Sequence, residues 1–189
     1  REGVWRYPVT MDQVSPHYLQ ALVTYEDRWF RRHPGVNPPA MLRAAWQWAA
    51  NGRVVSGGST LTMQVARILE PHSRTPLGKL RQALRALQLE WRYSKDEILS
   101  LYLNHAPFGG TIVGVEAASW AYLGKPASSL SQAEAALLAV LPQAPSRLRP
   151  DRHPEAARAA RDKVLARMAT LGVWTTAQVD DARIEPVVA

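Results

Sequence analysis

The sequence contains no cysteine among its 189 residues, so disulfide bonds and thiolate metal sites are excluded. Long apolar runs are missing too, and no stretch approaches the roughly 18 residues that suggest a membrane-spanning helix. The N-terminal segment has no signal-peptide pattern, and the first residue is Arg1 rather than a methionine. We therefore expect a domain cut from a longer protein, whose own membrane anchor this sequence would not reveal.

Acidic residues are in the minority, with 16 Asp and Glu against 23 Lys and Arg and a net charge of +7. A basic balance favours an anionic partner, such as nucleic acid, anionic lipid or a phosphorylated substrate, although a merely soluble basic domain is an equal alternative. Hydrophobic residues make up 47%, which excludes a disordered chain. The length fits one domain that buries about 70% of its unfolded surface.

Strand signals are scarce, and only residues 4–7 and 111–113 have a weakly extended pattern. Ser15-Pro16 offers a cap and a first-turn proline, which predicts a helix from Pro16 through Phe30. The fold class is therefore mainly α. Further helix signals are three capping boxes and one terminal glycine, at Ser94, Ser131, Thr175 and Gly172.

Residues 34–55 are the irregular part of the pattern. They combine three prolines with Trp46, Trp48 and a Gly-Arg segment. We predict a mobile, partly apolar loop here.

The histidines of the chain are too scattered to suggest a metal cluster.

A carboxylate interrupts the apolar stripe of the first predicted helix. Leu19, Leu22, Glu26 and Phe30 follow the i, i+3, i+4 rule, and Asp27 lies about 100° away from Glu26 by helix geometry. Apolar surroundings raise the pKa of a carboxyl, which suits a general acid or base near neutral pH. The alternative is that Glu26 pairs with one of the nearby arginines. If Glu26 is the acid or base, Asp27 is a hydrogen-bonding residue that supports it.

The segment SGGSTLTMQVAR combines glycines, hydroxyls and a basic residue at a predicted helix start. Thr60, Gln64 and Arg67 fall at i, i+4 and i+7, on one polar face. Free N–H groups at such a start suit a phosphate. The Walker ending is missing, and an ordinary capped turn is the alternative reading.

Together these segments resemble the glycosyltransferase family 51 domain, the peptidoglycan polymerase module of class A penicillin-binding proteins. EDRWFRRHPG resembles its first motif and GGSTLTMQ its second. The later KDEILSLYLN and EAALLAVLPQAPSRLRP segments also match, so the resemblance covers about Val9 to Pro150. Finer details, such as RALQLEW, resemble one subgroup of these proteins.

The resemblance implies a mainly α, lysozyme-like fold with a small membrane-facing mobile lobe at 34–55, in a glycosyltransferase domain at 1–150. Residues 151–189 would be a helical segment or linker toward a transpeptidase-like domain outside this chain. The implied enzyme is a peptidoglycan glycosyltransferase in bacterial cell wall synthesis. It polymerises lipid II into β-1,4 glycan strands with inversion and releases undecaprenyl pyrophosphate.

By this resemblance Glu26 is the catalytic base and Asp27 supports it. A divalent cation, Mg²⁺ or Mn²⁺, would share the charge of the pyrophosphate, and no organic cofactor is expected. The residues implied to bind substrate or pyrophosphate are Phe30, His33, Gly57, Gly58, Ser59, Thr60, Gln64, Arg67, Lys79 and Asn104.

The third motif of the family, Arg-Lys-x-x-Glu, is altered in this chain. Gly78 takes the place of the arginine and Gln82 the place of the glutamate, and Met63 replaces a glutamine of the second motif. Gln82 cannot transfer a proton, although its amide can hydrogen-bond a phosphate oxygen. We keep Gln82 as a candidate catalytic residue. Glu90 is rotated about 80° from it, so we do not expect Glu90 to substitute.

The resemblance implies lipid II, nascent glycan, a membrane surface and moenomycin-type inhibitors as partners, with other cell wall synthesis proteins besides. It implies action at the periplasmic face of the inner membrane, within a membrane-anchored parent. Nucleic acid is not expected, because no aromatic stacking platform is apparent. Two alternatives stay open: a non-catalytic lipid II or membrane-binding module, and a lysozyme-like lytic enzyme.

Overall fold

The computed structural model describes residues 3–52 and 58–188. The described residues form ten α-helices and two short strands. In chain order these are α1 (Pro16–Glu26), α2 (Pro38–Asn51), α3 (Leu61–Leu69), α4 (Pro76–Arg92), α5 (Lys95–His105), β1 (Pro107–Gly109), β2 (Ile112–Val113), α6 (Val115–Leu123), α7 (Gln132–Val140), α8 (Pro145–Leu148), α9 (Pro154–Thr170) and α10 (Thr176–Ile184).

The chain divides into two compact units. The first comprises Arg1–Tyr25 and Leu103–Ala189, and the second comprises Glu26–Tyr102. In the first unit α7 is almost fully buried, and α9 packs against it through an apolar face that includes Val164, Leu165 and Met168. The core of this unit therefore lies around α7.

The small sheet of the first unit pairs β1 with β2 in an antiparallel register, Pro107 opposite Val113. Trp5 adds an isolated parallel bridge to Ile112. The two weakly extended segments of the sequence therefore meet. Asn104 fixes the N-terminal segment further along, because its side chain accepts from Val9 N at 2.8 Å and donates to Val9 O at 2.9 Å.

The second unit is built on the pair α3 and α4. Met63 on α3 packs with Ala83 and Ala86 on α4, and Met41 of α2 lies against this cluster. Small residues on α4 allow the two helices to approach closely, so α3 presents its remaining polar side chains on a fixed surface.

The predicted helix boundaries are confirmed where the sequence carries a cap. The boxes at Ser131 and Thr175 have both of their hydrogen bonds, and the Ser94 box has its two bonds with Glu97 at 3.2 Å. Gly172 adopts the left-handed φ of 68° that ends α9. These local signals fix the element ends because they satisfy backbone groups that the helix leaves open.

Two predictions, one for the first helix and one for residues 34–55, are wrong. The first helix ends at Glu26 instead of Phe30, because the chain enters a turn in which Phe30 N donates to Asp27 O at 3.0 Å. The segment expected to be an irregular loop contains α2. That helix is capped by Asn37, which accepts from Ala40 N, and ends at Gly52 with φ of 65°. Prolines in its first turn start a helix and do not break one.

An apolar stripe runs along the outer face of α4. Its members lie three or four residues apart and are exposed, Trp91 at 92%; they are Leu77, Leu80, Leu84, Leu87 and Trp91. The buried face of α4 consists of small or polar residues. Over the part of the chain that the structure describes, no helix is both long and apolar enough to cross a membrane.

Candidate active site

Glu26 is the last residue of α1 and is partly exposed. Its Oε2 accepts a hydrogen bond of 3.2 Å from Gln64 Nε2, on α3. The arginines that the sequence offered as partners have other contacts. Arg31 pairs with Asp96 at 2.5 Å, and Arg28 and Arg32 stack on the ring of Trp29 at 5.1 and 5.0 Å. Glu26 thus presents a carboxylate that a glutamine of the second motif orients.

Asp27 lies one residue beyond the helix and is buried, with 6% of its surface exposed. Its Oδ2 accepts from Leu61 N, the first residue of α3, at 2.9 Å and contacts His33 Nε2 at 2.7 Å. A carboxylate at a helix N-terminus is stabilised by the unpaired N–H groups and the helix dipole. Asp27 therefore joins the first motif to the second.

The contacts of His33 define its tautomer. Gly35 N donates to His33 Nδ1 at 3.0 Å, so Nδ1 carries no proton. The ring is then neutral with its proton on Nε2, and this N–H donates to Asp27. His33 is buried, so it holds Asp27 in place instead of facing solvent.

Thr60 caps α3 from inside the protein. Its Oγ1 accepts from Met63 N at 3.1 Å and donates to Gly35 O at 2.6 Å. With Asp27 on Leu61 N, two of the first amides of α3 already have protein partners. The expectation of free N–H groups at this helix start is therefore wrong for these two, because side chains of the protein occupy them.

Lys79 lies beside this helix start, and Arg67 lies in the last turn of the same helix. Lys79 Nζ on α4 donates to Ser59 Oγ. Burial lowers the pKa of Lys79 below its ordinary value, and the nearby Arg67 lowers it further. Ser59 and Lys79 are partly buried and Arg67 is exposed, so an anion bound here would relieve the repulsion between the two cations.

The face of α3 connects these two places. Gln64 contacts Glu26, and Arg67 follows three residues later on the same helix face, about one turn away. A partly exposed carboxylate and a cation group therefore share one helix surface. This arrangement can accept a proton at one end and hold a dianion at the other.

Gln82, the candidate for the altered third motif, is 7% exposed. Its Nε2 donates to Met63 O at 2.7 Å, so the amide ties α4 to α3. Glu90, which we did not expect to replace the missing carboxylate, has protein partners of its own. It accepts from Thr62 Oγ1 at 2.8 Å and pairs with Lys95 at 2.5 Å.

Three other residues predicted to bind the substrate have surroundings that favour a structural role. Phe30 is fully buried, which favours packing over contact with a substrate. Gly58 is buried against α2, where a Cβ would lie 3.1 Å from Ala40 O. Asn104 belongs to the first unit and bonds Val9. Gly57 lies outside the described residues.

Lys95 is the functional candidate that the sequence reading missed. Its Nζ donates to His33 O at 2.6 Å and lies 4.7 Å from the centre of the Phe30 ring. It therefore supports the loop that carries Asp27 and His33. The separation of 62 residues between Lys95 and His33 leaves no local signal in the sequence.

Residues 3–52 and 58–188 contain no group of three His, Asp or Glu side chains able to hold a metal ion. Asp27, the nearest carboxylate to Glu26 in sequence, already has two partners. The donor set does not fit a metal site made of protein ligands alone.

Comparison with known proteins identifies the family of this chain. The transglycosylase family model matches residues 1–169. Penicillin-binding protein 1C of Escherichia coli is 68% identical over 98% of the chain, and penicillin-binding protein 1A of Aquifex aeolicus is 42% identical over 96%. The chain spans about a quarter of each relative's length, 24% and 25%.

A solved structure gives the same result for the fold. The crystal structure of penicillin-binding protein 1A from Haemophilus influenzae superposes with a TM-score of 0.61 and 25% identity, covering 98% of this chain and 18% of that one. The prediction of a mainly α, lysozyme-like fold is confirmed. The subgroup indicated by details such as RALQLEW corresponds to the 1C type.

Proposed function

The chain belongs to the transglycosylase family, and from this premise we propose that it is a peptidoglycan glycosyltransferase that polymerises lipid II. One observation carries the proposal: Gln64 bonds Glu26, and Arg67, on the same face of α3, lies near Lys79. Lipid II offers a hydroxyl to deprotonate and a pyrophosphate to stabilise, which are the two chemistries of that face.

The proposed reaction joins two sugars. Glu26 takes the proton from the 4-hydroxyl of incoming lipid II as that oxygen attacks C1 of the growing glycan. The bond from C1 to the pyrophosphate oxygen breaks, and its electron pair leaves with undecaprenyl pyrophosphate. The attack comes from the opposite face, so the configuration at C1 inverts to β. Glu26 then returns its proton to solvent.

Charge grows on the leaving pyrophosphate in the transition state, so cations fixed in advance lower the barrier. Ser59, Arg67 and Lys79 supply this stabilisation. A divalent ion would be carried by the substrate pyrophosphate, since Mg²⁺ commonly binds through substrate phosphates and one or two carboxylates. Removing it with EDTA and restoring it with Mg²⁺ or Mn²⁺ tests that role.

In this proposal, several residues predicted to contact the substrate instead hold other residues of the site in place. Asp27 and His33 fix the loop after Glu26, and Thr60 caps the helix that carries Gln64. Gln82 holds α4 on α3. These are positioning residues, because their polar atoms are committed to protein partners.

The exposed stripe of α4 suits a bilayer surface. Apolar patches of this kind on a soluble surface mark an interaction site. Leu42 and Trp46 on α2, at 73% and 75% exposure, add apolar area in the same unit. The polyprenyl tail of lipid II starts at a membrane, so we propose that the second unit contacts the periplasmic face of the inner membrane, within a membrane-anchored parent. The mobility of 34–55 and the domain boundary at 150 stay predictions.

Gel electrophoresis of products from labelled lipid II, detergent and Mg²⁺ tests the function. Polymerisation predicts a ladder of glycan chains that moenomycin abolishes. Binding without chain growth would favour the non-catalytic module. Release of soluble fragments from purified sacculi would favour the lytic enzyme, which needs no cation group for pyrophosphate.

A further inference from the structure

The first unit contains a cavity of about 670 Å³ that the proposed reaction does not use. Residues 7–9 form one wall, and α6 with the turn at 126–128 forms the other. Ligand pockets in proteins typically measure about 300–1,000 Å³. The cavity therefore has the size of a ligand site.

Two aromatic rings line this cavity, which we call the Trp120 cavity. Tyr7 is 45% and Trp120 48% exposed, so each ring is half covered. Trp120 Nε1 donates to Glu116 Oε1 at 2.9 Å. The polar group of the indole is therefore satisfied, and the rest of the ring is surface available to a ligand.

Hydrogen bonds within the first unit hold the walls in place. Glu116 Oε2 accepts from Ala127 N at 3.0 Å, which fixes α6 to the turn that shares its wall. Asn104 bonds both backbone groups of Val9. Gln13, another lining residue, accepts from Thr10 N at 3.0 Å. Because these groups are ordered by folding, a ligand need not order them.

The charge of the lining disfavours an anionic ligand. Among the described residues, the lining has one carboxylate, Glu116, together with Gln13 and Ser128, and no lysine or arginine. A carboxylate has about four acceptor positions, so Glu116 retains acceptor capacity for donors of a ligand. This chemistry differs from that of Ser59 and Lys79, which suit a pyrophosphate.

We propose that the Trp120 cavity binds an uncharged, N-acetylated segment of glycan. The apolar face of a sugar ring lies on Trp120 or Tyr7, and its hydroxyls and acetamido N–H donate to Glu116. The choice of polymer rests on the proposed function. A proline-rich peptide also suits aromatic grooves, but prolines lack N–H donors and leave Glu116 unused.

The test is a titration of the chain with tetra-N-acetylchitotetraose, followed by calorimetry and ligand-observed NMR. The cavity predicts saturable binding that Trp120→Ala weakens by about fivefold or more, as expected for loss of a stacked ring. Trp120→Phe keeps a ring and retains most of the affinity. Tyr7→Ala is the second weakening variant, so the test survives if one variant unfolds.

Trp91→Ala removes an equally large exposed ring from the second unit and is the matched control, with sugar binding unchanged. Binding that is insensitive to Trp120→Ala and Tyr7→Ala overturns the inference. So does the absence of binding, or displacement of the sugar by a proline decamer.

Lipid II consumption by the same wild-type preparation is read separately. Sugar binding that depends on Trp120, without polymerisation, would overturn the proposed function and leave the glycan site. Polymerisation without such binding would overturn the glycan site alone.

Discussion

At the residue scale, Gln82 shows how a change of one atom alters the expected role. A glutamate at this place would direct an oxygen at Met63 O, which accepts the present bond of 2.7 Å. We predict that Gln82→Glu lowers the free energy of unfolding at pH 8 by about 1–3 kcal/mol, the cost of an unsatisfied buried group. It should not increase chain growth.

The pH dependence identifies the cause of this loss. A buried glutamate facing a carbonyl has a raised pKa, so the folded state binds more protons than the unfolded state above pH of about 4.3, and stability falls as the pH rises. Urea unfolding at pH 5 and pH 8 should show the smaller loss at pH 5. Gln82→Met, which has no charge to titrate, is the control. A loss of equal size at both pH values for Gln82→Glu would contradict the assignment.

Lys79 should make anion binding sensitive to alkali. Burial and Arg67 lower its pKa, so it loses its proton at a pH at which an ordinary lysine is still charged. We predict that pyrophosphate binding weakens as the pH rises, before an ordinary lysine would titrate. Lys79→Arg should abolish that fall, because arginine stays protonated. Binding measured by calorimetry across pH 7–10 tests this, and equal pH profiles would refute it.

The place of Glu26 on the first helix was predictable from the sequence, because helix periodicity puts it in line with the apolar stripe. The partners of Asp27 were not. Leu61 lies 34 residues away, and helix geometry put Asp27 on a helix that ends one residue earlier. Long-range contacts leave no periodic trace, so the partners of Asp27 were harder to predict than the helix face of Glu26.

At the element scale, a part-buried ion pair connects α4 to α5. Glu90 and Lys95 are 12% and 19% exposed, and Lys95 also holds the loop at His33. Breaking such a pair leaves a charge without its partner. We predict that Lys95→Met costs about 3 kcal/mol of unfolding free energy, and that adding Glu90→Leu restores much of it. Guanidinium unfolding of both singles and the double measures the coupling. If the losses of unfolding free energy of the two single variants add up to that of the double variant, the two residues are not coupled.

The stripe of α4 gives a second prediction for an element. Leu84→Asp puts a charge in the middle of the exposed stripe, so it should weaken binding to vesicles with anionic lipid. We expect about a tenfold loss, because an aspartate costs about 2.5–3.5 kcal/mol at the centre of a bilayer and less at its interface. Flotation with vesicles measures it.

Val173→Asp makes the same kind of change at an exposed apolar position of the first unit. It should leave vesicle binding unchanged. Equal binding of both variants and wild type would show that the stripe is not the membrane contact, and self-association lost in Leu84→Asp alone would indicate a second copy as its partner.

The stripe also shows a limit of sequence reading. Its members recur at the helical spacing of α4, but periodicity does not tell whether an apolar face turns toward the core. In α4 the buried face is the one with Gly78 and Gln82. Capped ends such as Ser131 were predictable because the cap is local. The start of α2 was not, since its prolines suggested a loop.

At the scale of the whole molecule, the family resemblance predicted the fold, which the transglycosylase match and the superposition confirm. Composition alone allowed several anionic partners for a net charge of +7. Among these anionic partners, only the spacing of several motifs favoured a pyrophosphate-linked substrate. The cavity at Trp120 had no signal in the sequence, because its walls come from segments more than 100 residues apart.

The central claim is that Glu26 is the base of glycan polymerisation. Its most direct test is the initial rate of chain growth from lipid II for wild type, Glu26→Gln and Glu70→Gln. Glu70 is a part-exposed glutamate of the same unit that pairs only with Arg81 and Arg85 among the described residues.

Loss of a general base lowers a reaction rate by about 10²–10⁴-fold. The initial rate of chain growth of Glu26→Gln should therefore be at least about 100-fold below that of wild type, while its thermal unfolding temperature stays close to that of wild type. Glu70→Gln should keep the wild-type rate. A Glu26→Gln rate within a few fold of wild type would contradict the account and require another base.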